Sequence, residues 1–162
     1  MISWIKGVLV SSWQTNNKYY ILINCQGLGY EIQTLESVLI DINKNIIPDK
    51  EVILWLKHIK KEDSDMLFGF SSKDQRDFFN QILNIKGLGS QIGMSLLNKF
   101  SLNQIIDAIT NNDKRSISSV QGIGQKMTDR IILELKSKVI TEQIENEKLD
   151  KNNFLVENKE LT

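Results

Sequence analysis

The sequence has one cysteine, one histidine, no net charge and no long apolar run. Each shortage removes a class of function. With Cys25 alone, no internal disulfide can form. Cys25 ends the mostly apolar run Ile21 to Cys25, and nothing beside it in sequence would lower its pKa, so it is expected to be a buried core thiol. His58 has no metal partners at ligand spacing, which leaves neither a zinc site nor a Cys/His catalytic pair. No metal and no other cofactor is expected. The longest apolar run near the middle, Val52 to Leu56, is strand-sized and stops at Lys57. Lys6 interrupts the apolar stretch from Ile2 to Val10 and no small-residue cleavage site follows, so a cytoplasmic location is expected. A Gly-x4-Gly-Lys-Ser/Thr loop is missing too, and any motor activity belongs to a partner.

The zero net charge conceals an uneven distribution. Met1 to Ser72 carries 7 basic and 8 acidic residues, Lys73 to Ile140 carries 10 and 6, and Thr141 to Thr162 carries 3 and 6. The basic excess sits in the middle segment and the acidic tail hides it. That is a weak electrostatic footprint of a nucleic-acid binder.

The first seventy residues read as strands. Trp4 to Trp13, Tyr19 to Asn24, Tyr30 to Leu35, Val52 to Ile59 and Met66 to Phe70 are rich in β-branched, aromatic and other apolar residues. Thr15-Asn16-Asn17, Gln26-Gly27-Leu28-Gly29 and Pro48-Asp49 separate them as turns. Five short strands suggest a small Greek-key barrel of the OB type, with other small barrels also fitting. After Phe70 the period becomes helical. Phe78, Phe79, Ile82 and Leu83 share a face, as do Leu102, Ile105, Ile106 and Ile109, and then Ile131, Ile132, Leu135 and Val139. Core packing explains all three stripes. Ser101 and Gln104 have the spacing of a capping box. The expected division is a barrel over residues 1–70, a helical domain over 71–140 and an acidic linker or tail over 141–162, with transient helix from Thr141 to Leu149.

One motif occurs twice. Ile85-Lys86-Gly87-Leu88-Gly89-Ser90-Gln91 matches Val120-Gln121-Gly122-Ile123-Gly124-Gln125-Lys126, each between helical segments. A Gly-apolar-Gly turn lets the backbone approach a ligand without Cβ atoms in the way. Leu88 or Ile123 can plug the turn into the core. The glycine amides and the first free N–H groups of the next helix then converge on an anion, which the helix dipole favours. A DNA phosphate fits such a site without any base contact, and two units can grip the phosphates of one duplex. The candidate DNA-binding residues are Gly87, Leu88, Gly89, Ser90, Gln91, Gly122, Ile123, Gly124, Gln125, Lys126 and Arg130. Lys126 and Arg130 are four apart, a mildly repulsive spacing that a bound phosphate would reverse; alternatively, Asp129 and Glu134 neutralise that face. The first unit is poorer in charge, since Gln91 stands where the second has Lys126, with Lys86 and Lys99 to compensate at longer range.

Met1-Ile2 through Lys6-Gly7, Gly27-Leu28-Gly29-Tyr30-Glu31, the run Lys61-Glu62-Asp63-Ser64-Asp65-Met66-Leu67-Phe68-Gly69-Phe70 and both hairpins resemble the RuvA family over about Met1 to Ile140. The resemblance implies an α+β multidomain chain: an N-terminal OB-type five-stranded barrel, then an all-α tandem helix-hairpin-helix domain. It implies a non-catalytic subunit that recognises four-way (Holliday) junctions in recombination and repair and holds them open for branch migration. A homotetramer, a RuvB-type hexameric ATPase and a RuvC-type junction resolvase are the implied partners. It also makes Glu62 and Asp63 an acidic pin near the centre of that tetramer; without the resemblance they read as a solvated hairpin tip. Lysines common in the family's hairpins are replaced here by Gln91 and Gln125. The family's third helical domain, which contacts the motor, is not apparent before Thr162, so junction binding with poor motor coupling is expected.

Two rival readings have their own residues. Asp107 stands about twenty residues after Gly89, near the distance of a glycosylase's catalytic Asp, yet on a polar helix face without a catalytic Lys. Trp4, Trp13, Tyr19, Tyr20 and Tyr30 could stack single-stranded bases, although filling a small barrel and its interfaces suits them better. A generic hairpin module without junction preference is the remaining alternative.

Overall fold

Five strands close into a barrel. They are β1 (Trp4–Thr15), β2 (Lys18–Cys25), β3 (Leu28–Thr34), β4 (Glu51–Lys60) and β5 (Asp65–Phe70), in the order β1-β2-β3-β5-β4. The computed structural model describes residues 1–44 and 51–138. The expected Pro48-Asp49 turn, Val139 and the tail over 141–162 lie outside the described residues. All neighbours pair antiparallel except β3 and β5, which is the closing pattern of an OB-type barrel.

The turns follow from their residues. Asn16 (φ 49°) and Asn17 (φ 58°) join β1 to β2, and Gln26 (φ 53°) and Gly27 (φ 89°) join β2 to β3. Two consecutive positive φ values make the two-residue turns that match strand twist, and Asn and Gly tolerate them best. The side chain of Asn24 accepts from the Gly27 N–H at 2.8 Å and fixes the second turn. β1 serves two partners, β4 through its first half and β2 through its second. An irregularity between Leu9 and Ser11 bends it, leaving Val10 outward and 57% exposed. At Gly7 a Cβ would sit 2.5 Å from the carbonyl oxygen of Asn24, so barrel closure there requires glycine.

The barrel core is Ile5, Ile21, Ile23, Ile32, Val52, Leu54, Leu56, Phe68 and Phe70, all buried. Of the aromatics expected to fill it and its interfaces, none is part of this buried interior. Trp4 is 47% exposed, and Trp13, Tyr19, Tyr20 and Tyr30 are half-buried. Branched aliphatic side chains and two phenylalanines already occupy the interior of so small a barrel. Trp13 stacks instead on its cross-strand neighbour Tyr20, ring centres 5.7 Å apart. Cys25 is likewise half-buried at the end of β2, where the strand turns out of the core.

The helix α1 (Glu36–Lys44), between β3 and β4, escaped the sequence reading. Its Val and Ile content looks strand-like. Leu35, Val38 and Ile42, all buried, carry the helical spacing that reveals it. The remaining helices are α2 (Lys73–Leu83), α3 (Ser90–Lys99), α4 (Leu102–Thr110), α5 (Lys114–Ser118) and α6 (residues 125–138). Ser72 caps α2 by accepting from the Gln75 N–H, and Asp113 caps α5 by accepting from the Ser116 N–H. α4 begins directly after Ser101. By compactness the chain divides into a unit over Met1–Leu102 and another from Asn103 onward. Within the first, α2 and α3 pack on each other and α2 lies on β4 and β5. Phe79 sits between Phe68 and Phe70, ring centres 5.1 and 5.0 Å away. Among the described residues, no helix is long and apolar enough to cross a membrane.

Candidate nucleic-acid interface

The two motifs fold identically at the backbone. Gly87 has φ 89° and Gly122 has φ 87°. In each, the apolar residue's N–H returns to the carbonyl three residues back, Leu88 to Ile85 and Ile123 to Val120, both at 3.1 Å. Leu88 and Ile123 are buried, as expected of plugs, with 8% and 6% exposure. The positive φ makes the first glycine of each pair a conformational requirement.

The second glycine has a different reason. Gly89 adopts ordinary extended φ and ψ, and a Cβ added at Gly89 or Gly124 would meet nothing within 4 Å. Neither the backbone of Gly89 nor packing at either position calls for glycine. What glycine leaves there is open space in front of the first turn of α3 and of α6. Gly89 also gives α3 no side-chain cap, in contrast to the capped α2 and α5. The orphan N–H groups of that first turn face a gap in which an anion can bind.

The side chains around the two hairpins differ. Gln91 is half-buried and already engaged within the protein. Its amide exchanges two hydrogen bonds with the buried Gln33 of β3, at 3.1 and 3.2 Å. Lys86 is exposed in the turn, whereas Lys99 lies at the far end of α3, about 14 Å along the helix from Ser90. In the second unit Gln125, Lys126 and Arg130 are all exposed. The carboxylate of Asp129, on the same helix, pairs with Lys114 at 2.7 Å. The Thr128 hydroxyl donates to the Gly124 carbonyl at 3.0 Å and ties α6 to its hairpin.

Glu62 and Asp63 form the exposed tip of the β4–β5 hairpin, closed by the Lys61 N–H on the Ser64 carbonyl at 2.8 Å. Asp107 is exposed on α4. Among the described residues no cluster of His, Cys, Asp and Glu could hold a metal. His58 accepts the Ile2 N–H on Nδ1 at 3.3 Å and has Asp65 beside Nε2 at 3.4 Å. Gln33 and Thr128 escaped the sequence reading. The pair Gln33-Thr34 in an otherwise apolar strand end was the signal for one, and the 35-residue offset from Gly93 the signal for the other.

Comparison with known proteins supplies the family. Residues 1–69 match the family model described as RuvA N terminal domain, and residues 79–137 the one described as SAM-like Helix-hairpin-helix tandem. The Holliday junction branch migration complex subunit RuvA of Prochlorococcus marinus subsp. pastoris is 81% identical over 161 residues, 99% of this chain and 74% of that protein. The chain belongs to the RuvA family. The RuvA of Prochlorococcus marinus (strain MIT 9215) is 64% identical over 91% of this chain and 66% of its own length. That of Prochlorococcus marinus (strain NATL1A) is 38% identical over 86% and 60%. The chain thus spans between 60% and 74% of the length of these three relatives.

Proposed function

We propose that this RuvA-family chain is a non-catalytic DNA-binding subunit that recognises four-way junctions and holds them open for branch migration. One observation carries the reading: two hairpins share one backbone conformation, and each keeps open space before a helix start at a glycine that packing does not demand, with no side-chain cap on the first. Backbone N–H groups there bind phosphate oxygens without regard to base. Leu88 and Ile123 contribute through their backbone only, since their side chains are buried. Ser90 and Gln125 add neutral donors, and Lys126 and Arg130 add charge.

The finer assignments belong to the same proposal. Residues 1–70 act as the barrel, 71–140 as the DNA-binding helices and 141–162 as a linker. The subunit works in the cytoplasm as a homotetramer, with a RuvB-type ATPase as motor and a RuvC-type resolvase as a further partner. Glu62 and Asp63 of each copy then bring eight carboxylates to the crossover, where they repel phosphates and disfavour continuous duplex.

Direct competition between a four-way junction and linear duplex of matched sequence, at one stated salt concentration, tests the reading. Preference for the junction is expected, and its loss on Glu62→Gln with Asp63→Asn. Equal binding by the unaltered protein would leave a generic hairpin module. Affinity should fall steeply with salt.

A further inference from the structure

We propose that the second repeat carries an additional phosphate site, in a groove beside its hairpin lined by Lys114, Arg115, Ser118, Gln125, Thr128 and Asp129. This rests on the reading that the hairpins hold the DNA backbone, and it extends the strand's path on α5 and α6.

The groove adjoins the hairpin through Gln125, the first residue of α6. Two of its hydroxyls are already committed. Thr128 donates to Gly124 and Ser118 to the carbonyl of Arg115, so both shape the wall. The groups left for a ligand are Lys114, Arg115, the Gln125 amide and the carboxylate of Asp129. Arg115 forms no direct ion pair among the described residues, though its charge acts on the nearby, exposed Asp113. Its planar guanidinium can meet two oxygens of one phosphate. Lys114 is held by Asp129 at 2.7 Å, but both side chains are more than half exposed, at 56% and 57%. A pair that wet contributes little to folding and exchanges partners readily. A phosphate entering the groove takes Lys114 from Asp129, and Asp129 acts as a built-in competitor.

The repeat provides an internal control. Thirty-five residues earlier, the positions of Lys114, Thr128 and Asp129 are Phe79, Gly93 and Met94. Phe79 and Met94 are buried, and a Cβ on Gly93 would lie 2.7 Å from the Phe79 ring. The first repeat has filled this space with core, and only the second can hold an anion there.

The test is the salt dependence of four-way junction binding by the full chain, with folding checked by circular dichroism. Lys114→Gln with Arg115→Gln should weaken binding about tenfold at low salt and lower the salt slope by about one phosphate's worth. Asp129→Asn should tighten binding several-fold, and this gain should vanish when Lys114→Gln is also present. Glu134→Gln, on the same helix but outside the groove, should not reproduce that coupling. If Lys126→Gln with Arg130→Gln weakens binding while the groove variants change nothing, the groove proposal falls and the hairpin reading stands. If neither pair matters, both fall. An Asp129→Asn gain that persists without Lys114 would reflect general charge and overturn the site. So would groove variants that bind DNA normally but lose a protein partner.

Discussion

The two hairpins have one backbone and two settings. The first is bolted to the barrel: Phe79 is wedged between Phe68 and Phe70, and Gln91 is locked to Gln33. The second keeps the same turn but presents Lys114, Gln125, Lys126, Asp129 and Arg130 to solvent. Even the residue four after the helix-capping glycine changes accordingly. Gly93 makes way for an aromatic ring, and Thr128 ties its helix to the turn. Duplicated backbone donors can thus sit in a frame packed on the barrel and in an open one. On the proposed reading, the first frame fixes position and the second adds attraction.

Substitutions at matched positions should break that contrast or sharpen it. Phe79→Ala should cost about 3–5 kcal/mol of stability, and Lys114→Ala should stay within about 0.5 kcal/mol. Urea denaturation of the two would show it, and similar midpoints would end the distinction between a filled and an open repeat. Next in size, Gln91→Leu strands the buried Gln33 amide and should cost about 1–3 kcal/mol. Its counterpart Lys126→Ala should leave stability alone and lower the salt slope of DNA binding by about one. Gly89→Ala and Gly124→Ala should each cost under about 1 kcal/mol, yet each should lower junction affinity, because a methyl group then stands where phosphate approaches. A loss at only one of them would mean that the hairpins are not equivalent ligands.

The smallest effect is on pH dependence. Burial alone would raise the Asp77 pKa, but hydrogen bonds from Lys73 and Arg76, with their charges, bring it below the usual range. Hydrogen bonds from the Ser116 side chain and backbone lower that of Asp113. Carboxylates depressed in the folded state stabilise it above their unfolded pKa, and that contribution is lost as pH falls through the folded value. Each repeat has one such carboxylate, so Asp77→Asn and Asp113→Asn should each flatten the acid limb of the stability profile slightly. An unchanged limb in both variants would refute the assignment.

Much of this was legible in the residues. Residue composition located all five strands within a few residues, and the Asn and Gly turns between β1, β2 and β3 have a local chemical cause. Helical stripes found the apolar faces of α2, α4 and α6. The motif repeat located both hairpins, since Gly-apolar-Gly states its own geometry. What escaped was non-local. α1 is short and β-branched, and only its packing makes it helical. The aromatics were expected in the barrel and its interfaces, and sequence does not say that aliphatic residues would take the interior. Gln91 looked like a weaker lysine until Gln33, 58 residues away, explained its amide. Lys114 and Asp129 gave no linear sign of facing each other.

The unneeded glycines at positions 89 and 124 have a mechanical consequence. On the proposed reading, each phosphate meets the same main-chain donors whatever base it carries. A strand advanced by one nucleotide therefore finds the contact it has just left, and no sequence becomes a resting place. Such a surface holds DNA firmly against lifting while resisting little along its length, and so works as a bearing.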